Sequence, residues 1–215
     1  KVKGEKVGVQ VVVDDRTGAL LGLDLIASEE KEEVLDLICA VARQVKAEVM
    51  VSDDWGSYQE VADDLGLDHQ ICRSHVQRNI DEIADSLREQ LKHHAESVPP
   101  GVESSPEQLD ADLDFLQRLI RERPTEATDH LQQLYQRYQT APKPPQGKRH
   151  PVWYRMRMLI TRLWNRWSRL TLDLRRADLD MDGTNNASER LIGWWIKERY
   201  RTMRGYKRTE SIFNV

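Results

Sequence analysis

Lys6-Val-Gly-Val-Gln-Val-Val-Val13 is the run that decides how this chain starts to fold. Its β-branched side chains favour pleated, half-buried backbone, so it reads as a strand. The next residues, Asp14-Asp15-Arg16-Thr17-Gly18, read as a hairpin turn with glycine late in the loop. Residues 19–27 then make the second strand of the hairpin. Ahead of the run, Val2-Lys3-Gly4-Glu5 reads as the tail of an earlier strand followed by a tight turn. The sequence is therefore expected to begin partway along a strand.

Beyond the hairpin, Ser28 is expected to cap a helix with Glu29, Glu30 and Glu32 in its first turns, where acids suit the helix dipole. Val34, Leu35, Leu37, Ile38, Val41 and Val45 give that helix an apolar face, and Cys39 lies within the same pattern. Residues 47–52 read as a short buried strand, residues 67–72 as another, and Gly66 closes a short helix between them. Residues 75–91 are helical. The order β-β-β-α-β-α-β-α predicts a mixed sheet flanked by helices, an α/β fold.

Two proline-rich stretches then punctuate the chain: Ser97-Val-Pro-Pro-Gly-Val-Glu-Ser-Ser-Pro106 and Ala141-Pro-Lys-Pro-Pro-Gln-Gly147. Between and after them lie amphipathic helices expected at 109–122, 125–138 and 153–176. The predicted architecture is a core formed by residues 1–91 and 179–215, interrupted by an all-helical insertion at 92–178.

Charge is unevenly spread. The formal net charge is -4, yet residues 148–176 carry nine basic side chains against the single acid Asp173. Residues 189–210 carry seven basic side chains against three acids. An acidic first part beside basic segments suggests a polyanion held by one face. Two cysteines make no disulfide framework, no apolar run is long enough to span a membrane, and no signal peptide opens the chain, so a cytoplasmic protein is expected.

Two acids stand out. Asp53 follows the buried strand 47–52, and strand ends of open α/β sheets face the ligand crevice. Its plainer reading is a helix N-cap. The neighbouring Asp54 points elsewhere by strand alternation. Glu189 lies in Asp180-Met-Asp-Gly-Thr-Asn-Asn-Ala-Ser-Glu-Arg190, three residues after Asn186. There the plainer reading is a capping box with Asn186 as N-cap. Paired carboxylates can also gather divalent ions for phosphodiester chemistry, and hard oxygen ligands favour Mg²⁺ or Mn²⁺.

Three stretches in order carry a family resemblance. Val51-Ser-Asp-Asp-Trp-Gly-Ser-Tyr58 resembles the second-aspartate motif of DDE transposases. Ile71-Cys-Arg-Ser-His-Val-Gln-Arg-Asn-Ile80 is similar to the Cys-x-x-His segment of mutator-like and several bacterial insertion-sequence transposases. Thr184-Asn-Asn-Ala-Ser-Glu-Arg190, running into Lys197-Glu-Arg-Tyr-Arg-Thr-Met-Arg-Gly205, resembles their glutamate motif. The resemblance implies a ribonuclease-H-like core with Asp53 and Glu189 as second and third catalytic carboxylates, holding two Mg²⁺ or Mn²⁺ ions. It implies DNA, both transposon ends and target, as partner, a homodimer or higher oligomer, and a bacterial, nucleoid-associated protein. The first catalytic aspartate is expected upstream of Lys1. Asp14 is the fallback, although it sits in the hairpin turn.

Cys72 and His75 have zinc-like spacing, but a structural site needs four ligands. They are expected instead as supports near the carboxylates, with Cys72 buried and His75 opening a helix. Arg190, Lys197, Arg201 and Arg204 follow Glu189 as candidate phosphate contacts; at 3.6 residues per turn Lys197, Arg201 and Arg204 share a face, against the rival reading of a solvated helix. Trp194 and Trp195 cannot both face one way. Trp153, Trp164 and Trp167 are expected mostly in the core. Two rival functions stay open on the sequence: a structure-specific nuclease of the same fold, and a transposase-derived DNA-binding protein without catalysis.

Overall fold

The computed structural model describes residues 8–93, 96–198 and 201. The expected strand tail at Val2-Lys3 and the basic Arg204 lie outside them. The chain divides into two compact units, one made of Lys1–Cys72 with Leu172–Val215, the other of Arg73–Thr171.

The first unit starts with the antiparallel hairpin β1 (Gly8–Val13) and β2 (Leu20–Ile26), in register from Gly8↔Ile26 to Val12↔Gly22. Alternation gives the ribbon two apolar faces. Val9, Val11, Leu23 and Leu25 pack around Ile196, while Val12 and Ile26 pack with Val34, Ile38 and Val61 from two helices. These helices are α1 (Lys31–Val45) and α2 (Gly56–Leu65). Gln10 lies on the helical side, and its amide Nε2 donates to the Val34 carbonyl at 2.9 Å, which satisfies a buried donor. The expected cap at Ser28 is corrected. The helix starts at Lys31 after Glu30, and Ser28 Oγ instead accepts from Glu30 N at 3.3 Å, a turn ahead of the helix rather than its cap.

Between α1 and α2 runs β3 (Val49–Ser52), and after α2 runs β4 (Asp68–Ile71). They pair in parallel from Val49↔Asp68 to Ser52↔Ile71. Gly66 ends α2 as expected, at φ 66°. Met50 of β3 and Val12 of β1 share the same α1–α2 core, so both ribbons rest on one helical layer. Among the described residues the fold is mixed α/β with two small sheets.

The second unit is helical: α3 (Arg73–His93), α4 (Pro106–Glu122), α5 (Ala127–Tyr138) and α6 (Val152–Leu170). Leu109, Leu113, Leu116, Leu131, Met156 and Ile160 fill its core, with Trp153 stacked on Tyr138. Asp112 is buried there. It accepts from Arg137 Nη1 and from Tyr138 Oη, each at 2.7 Å, so its charge is both paired and hydrogen-bonded. Burial raises the Tyr138 hydroxyl pKa well above its ordinary value. The sequence predicts one long helix over 153–176, but α6 stops at Leu170. Thr171 leaves helical geometry and turns its hydroxyl back onto Trp167 O at 2.9 Å.

Back in the first unit, one turn of helix α7 (Leu172–Arg175) and a 3₁₀ turn (Ala177–Leu179) follow. Arg176 between them holds three carboxylates, Asp68 at 2.8 Å, Glu48 at 3.1 Å and Asp178 at 3.1 Å. Helix α8 (Asn186–Leu191) follows and continues into a π-helical segment over Ile192–Lys197. No helix among the described residues is long and apolar enough to cross a membrane.

Candidate active site

The ends of β3 and β4 form the floor of the site. Because the strands are parallel, the residues just past them, Asp53 and Cys72, leave the sheet at the same end. Cys72 N extends the ladder by donating to Ser52 O at 2.7 Å. Ser52 Oγ donates to Asp53 O at 2.9 Å and meets His69 Nε2 at 2.8 Å. A hydroxyl has one proton, so with that proton on the Asp53 carbonyl, His69 carries the hydrogen on Nε2 and donates it to Ser52. Ser52 and His69 are both buried, and Asp53 is half-buried beside them.

The wall is the start of α8. Asp182 Oδ1 accepts from both N and Oγ1 of Thr184, each at 2.7 Å, closing a tight turn. Gly183 in that turn has φ 71°, and a Cβ there would stand 2.8 Å from Asp173 Oδ2, so the position requires glycine twice over. Asn185 N then donates to Cys72 Sγ at 3.4 Å. One helical turn on, Glu189 N donates to Asn185 O at 3.1 Å. Two hydrogen bonds, Asn185 to Cys72 and Cys72 to Ser52, thus tie the turn that begins the Glu189 helix to the strand end that leads into Asp53.

The sequence matches the Transposase IS66 family over residues 34–200. The chain belongs to that family. It is a DDE-type transposase of an insertion sequence, a protein of transposition and DNA recombination. No significant similarity to a curated protein or to a solved structure was found.

Transposases of the DDE type use divalent metal ions and bind DNA, and the donor chemistry here suits hard cations, since Asp53 and Glu189 offer carboxylate oxygens. Among the described residues no group of three or more His, Cys, Asp or Glu side chains is disposed to hold a metal ion. Glu189 is exposed. Its reading as half of a capping box is corrected. The helix starts one residue earlier than expected, with Asn185 as N-cap making no side-chain cap bond, so Glu189 is the fourth helical residue rather than the third. Asn186 is the exposed first residue of the helix, not its cap.

Two aromatic residues follow Asp53 closely, Trp55 and Tyr58. Tyr58, in the first turn of α2, has its hydroxyl pKa pushed up to about 12, first by burial and then by the negative charges of Asp53 and Glu29. Trp55 precedes α2, and its indole Nε1 donates to Glu29 O at 3.2 Å. The signal for Trp55 was its position two residues after Asp53, but its anchor lies 26 residues away in sequence.

Cys72 is buried, as expected. His75 sits in the first turn of α3, which begins at Arg73, in the helical unit. Asp14 Oδ1 is taken up by Thr17, accepting from N at 2.7 Å and Oγ1 at 2.6 Å, which lowers its pKa. Arg190 is exposed and borders a cavity of about 420 Å³ between α8 and the β1–β2 turn, with Asp15, Arg16 and Trp194 among its other walls. Trp194 is 81% exposed, and the side chain of Trp195 lies outside the described residues. Lys197 and Arg201 are exposed, and Arg201 Nη1 pairs with Glu198 at 3.1 Å. Arg204 is outside the described residues. The segment Ile192–Lys197 is π-helical, so each extra residue in its wide turn rotates Lys197 by about 100° from the phase an α-helix would give relative to Arg190.

Proposed function

We propose that Asp53 and Glu189 are the second and third catalytic carboxylates of this transposase, and that it cleaves the transposon end and joins the freed 3′-hydroxyl to target DNA. The reading is supported by the two hydrogen bonds through Cys72, which link the segments carrying the two acids. Asp53 and Glu189 would hold two Mg²⁺ or Mn²⁺ ions, which when bound supply activation of the attacking oxygen and charge relief at the leaving one.

Arg190, Lys197, Arg201 and Arg204 would contact phosphates and set the register of the DNA without reading its sequence. Cys72 would hold the Glu189 helix, with Asn186 and His75 as further supports near the site. The two strand ribbons would be parts of one ribonuclease-H-like sheet, and residues 92–178 would be its helical insertion. The common α1–α2 layer beneath both ribbons supports this. The likeness of the Cys72–His75 segment to mutator-like transposases belongs to the same proposal, as does action as a homodimer or higher oligomer.

The test is strand cleavage and strand transfer on transposon-end DNA by the full-length protein. Asp53→Ala and Glu189→Ala are each expected to abolish both steps while DNA binding persists in a gel-shift assay. Full activity in either variant refutes the assignment. Joined products distinguish a transposase from a nuclease that only cuts.

A further inference from the structure

We propose that Trp55 is a fixed stacking surface for an unpaired nucleobase of the DNA bound at this site. The inference rests on the reading of Asp53 as a catalytic carboxylate, because it is Asp53 that puts Trp55 beside the reacting strand.

Trp55 is 53% exposed, a large apolar surface in water. A tryptophan usually buries much of its ring and gives its N–H a hydrogen-bond partner. Here the polar atom is the satisfied one, donating to Glu29 O at 3.2 Å, while much of the ring stays open. That hydrogen bond joins the β3–α2 turn to the segment just before α1, so the indole is fixed in orientation before anything binds. A ring already held in place loses little side-chain freedom on stacking.

The residue type is also wrong for its local task. Trp55 is the N-cap of α2, with extended backbone at φ -101° and ψ 135°, and makes no side-chain cap bond. Serine, threonine, aspartate or asparagine would stabilise the helix at this position. Neither capping nor core packing, nor the bridge to Glu29, uses the open face of the ring. Stacking does, since every base presents a π-face whatever its identity.

The probe is a fluorescein-labelled ten-residue thymidine strand, titrated by anisotropy in EDTA against the same strand with abasic sugars. Wild-type protein is expected to prefer the thymidine strand by about fivefold or more, and Trp55→Ala to lose that preference while its affinity for the abasic strand is unchanged. Trp55→Phe, which keeps an aromatic face, should retain part of it and covers the case in which Trp55→Ala fails to fold. The proposal is overturned if wild type binds both strands equally, if Trp55→Ala keeps the preference, or if Trp55→Ala weakens both strands alike. The two readings fail separately: full cleavage of transposon-end DNA by Asp53→Ala or Glu189→Ala overturns the catalytic assignment, whereas the thymidine preference and its loss in Trp55→Ala are read in EDTA without cleavage.

Discussion

Asn185 gives its backbone N–H to the sulfur of Cys72 at 3.4 Å, across 113 residues of sequence. A thiol sulfur is a weak acceptor, but Cys72 has no exposed surface and so excludes water as a substitute. Cys72→Ala is expected to leave that N–H without its acceptor and to cost about 1–3 kcal/mol in urea denaturation. Cys72→Ser keeps an acceptor and should lose less. On the proposed mechanism, cleavage should fall further in Cys72→Ala than in Cys72→Ser, and equal loss in both would remove any role for the acceptor.

Gly183 is constrained by conformation and by space, whereas Gly66 is constrained by conformation alone. Both have positive φ, but nothing lies within 4 Å of a Cβ built at Gly66. Gly66→Ala should therefore cost about 1–2 kcal/mol, the usual penalty for a left-handed residue. Gly183→Ala should cost clearly more, because its methyl would meet the Asp173 carboxylate. Thermal unfolding of the two variants side by side measures the difference.

Tyr58 predicts a shape for the alkaline stability curve. Its hydroxyl pKa is raised from the ordinary 10.0 to about 12 in the native protein. Between those values the unfolded chain gives up the proton and the native protein keeps it, so stability falls as pH rises through that window. Below pH 10 the contribution is fully present. Tyr58→Phe removes the linkage, and its unfolding midpoint should decline less steeply than wild type between pH 10 and 12.

Arg176 clamps three acids that are themselves largely exposed, Glu48, Asp68 and Asp178. Such pairs are screened by salt. Arg176→Met should lower the melting temperature, and the gap to wild type should narrow in about 1 M salt, where the screening length shrinks to roughly 3 Å. A gap independent of salt would mean that the alkyl stem, rather than the charge, holds the 172–180 segment against β4.

Local pattern carried the fold a long way. The valine run and the Asp14–Gly18 turn gave the hairpin, because strand preference and turn chemistry agree there. Helices α4 and α5 followed from their apolar stripes, and Gly66 from its place after α2. What the sequence hid was settled by contacts between distant residues. Nothing in Asn185-Asn186 says which asparagine precedes the helix; the turn around Gly183 and the bond to Cys72 decide it. Thr171 ends a helix whose arginines would let it continue, because its backbone leaves helical geometry at φ -115° and ψ 19°. The exposure of Trp55 depends on a carbonyl at Glu29 that no local rule connects to it. For the same reason Asp53 and Glu189 could be nominated from their motifs, while the path between them through Ser52 and Cys72 could not.

The wide turn over Ile192–Lys197 has a consequence for how this end of the molecule tolerates change. It works as slack in a belt. Ile192 and Ile196 both grip the same ribbon, while Gly193 has no atom near the place its side chain would occupy. A lost residue here can be taken up by tightening the coil to ordinary pitch. The same loss inside α6, wound evenly around a filled interior, would drag every later side chain out of its socket.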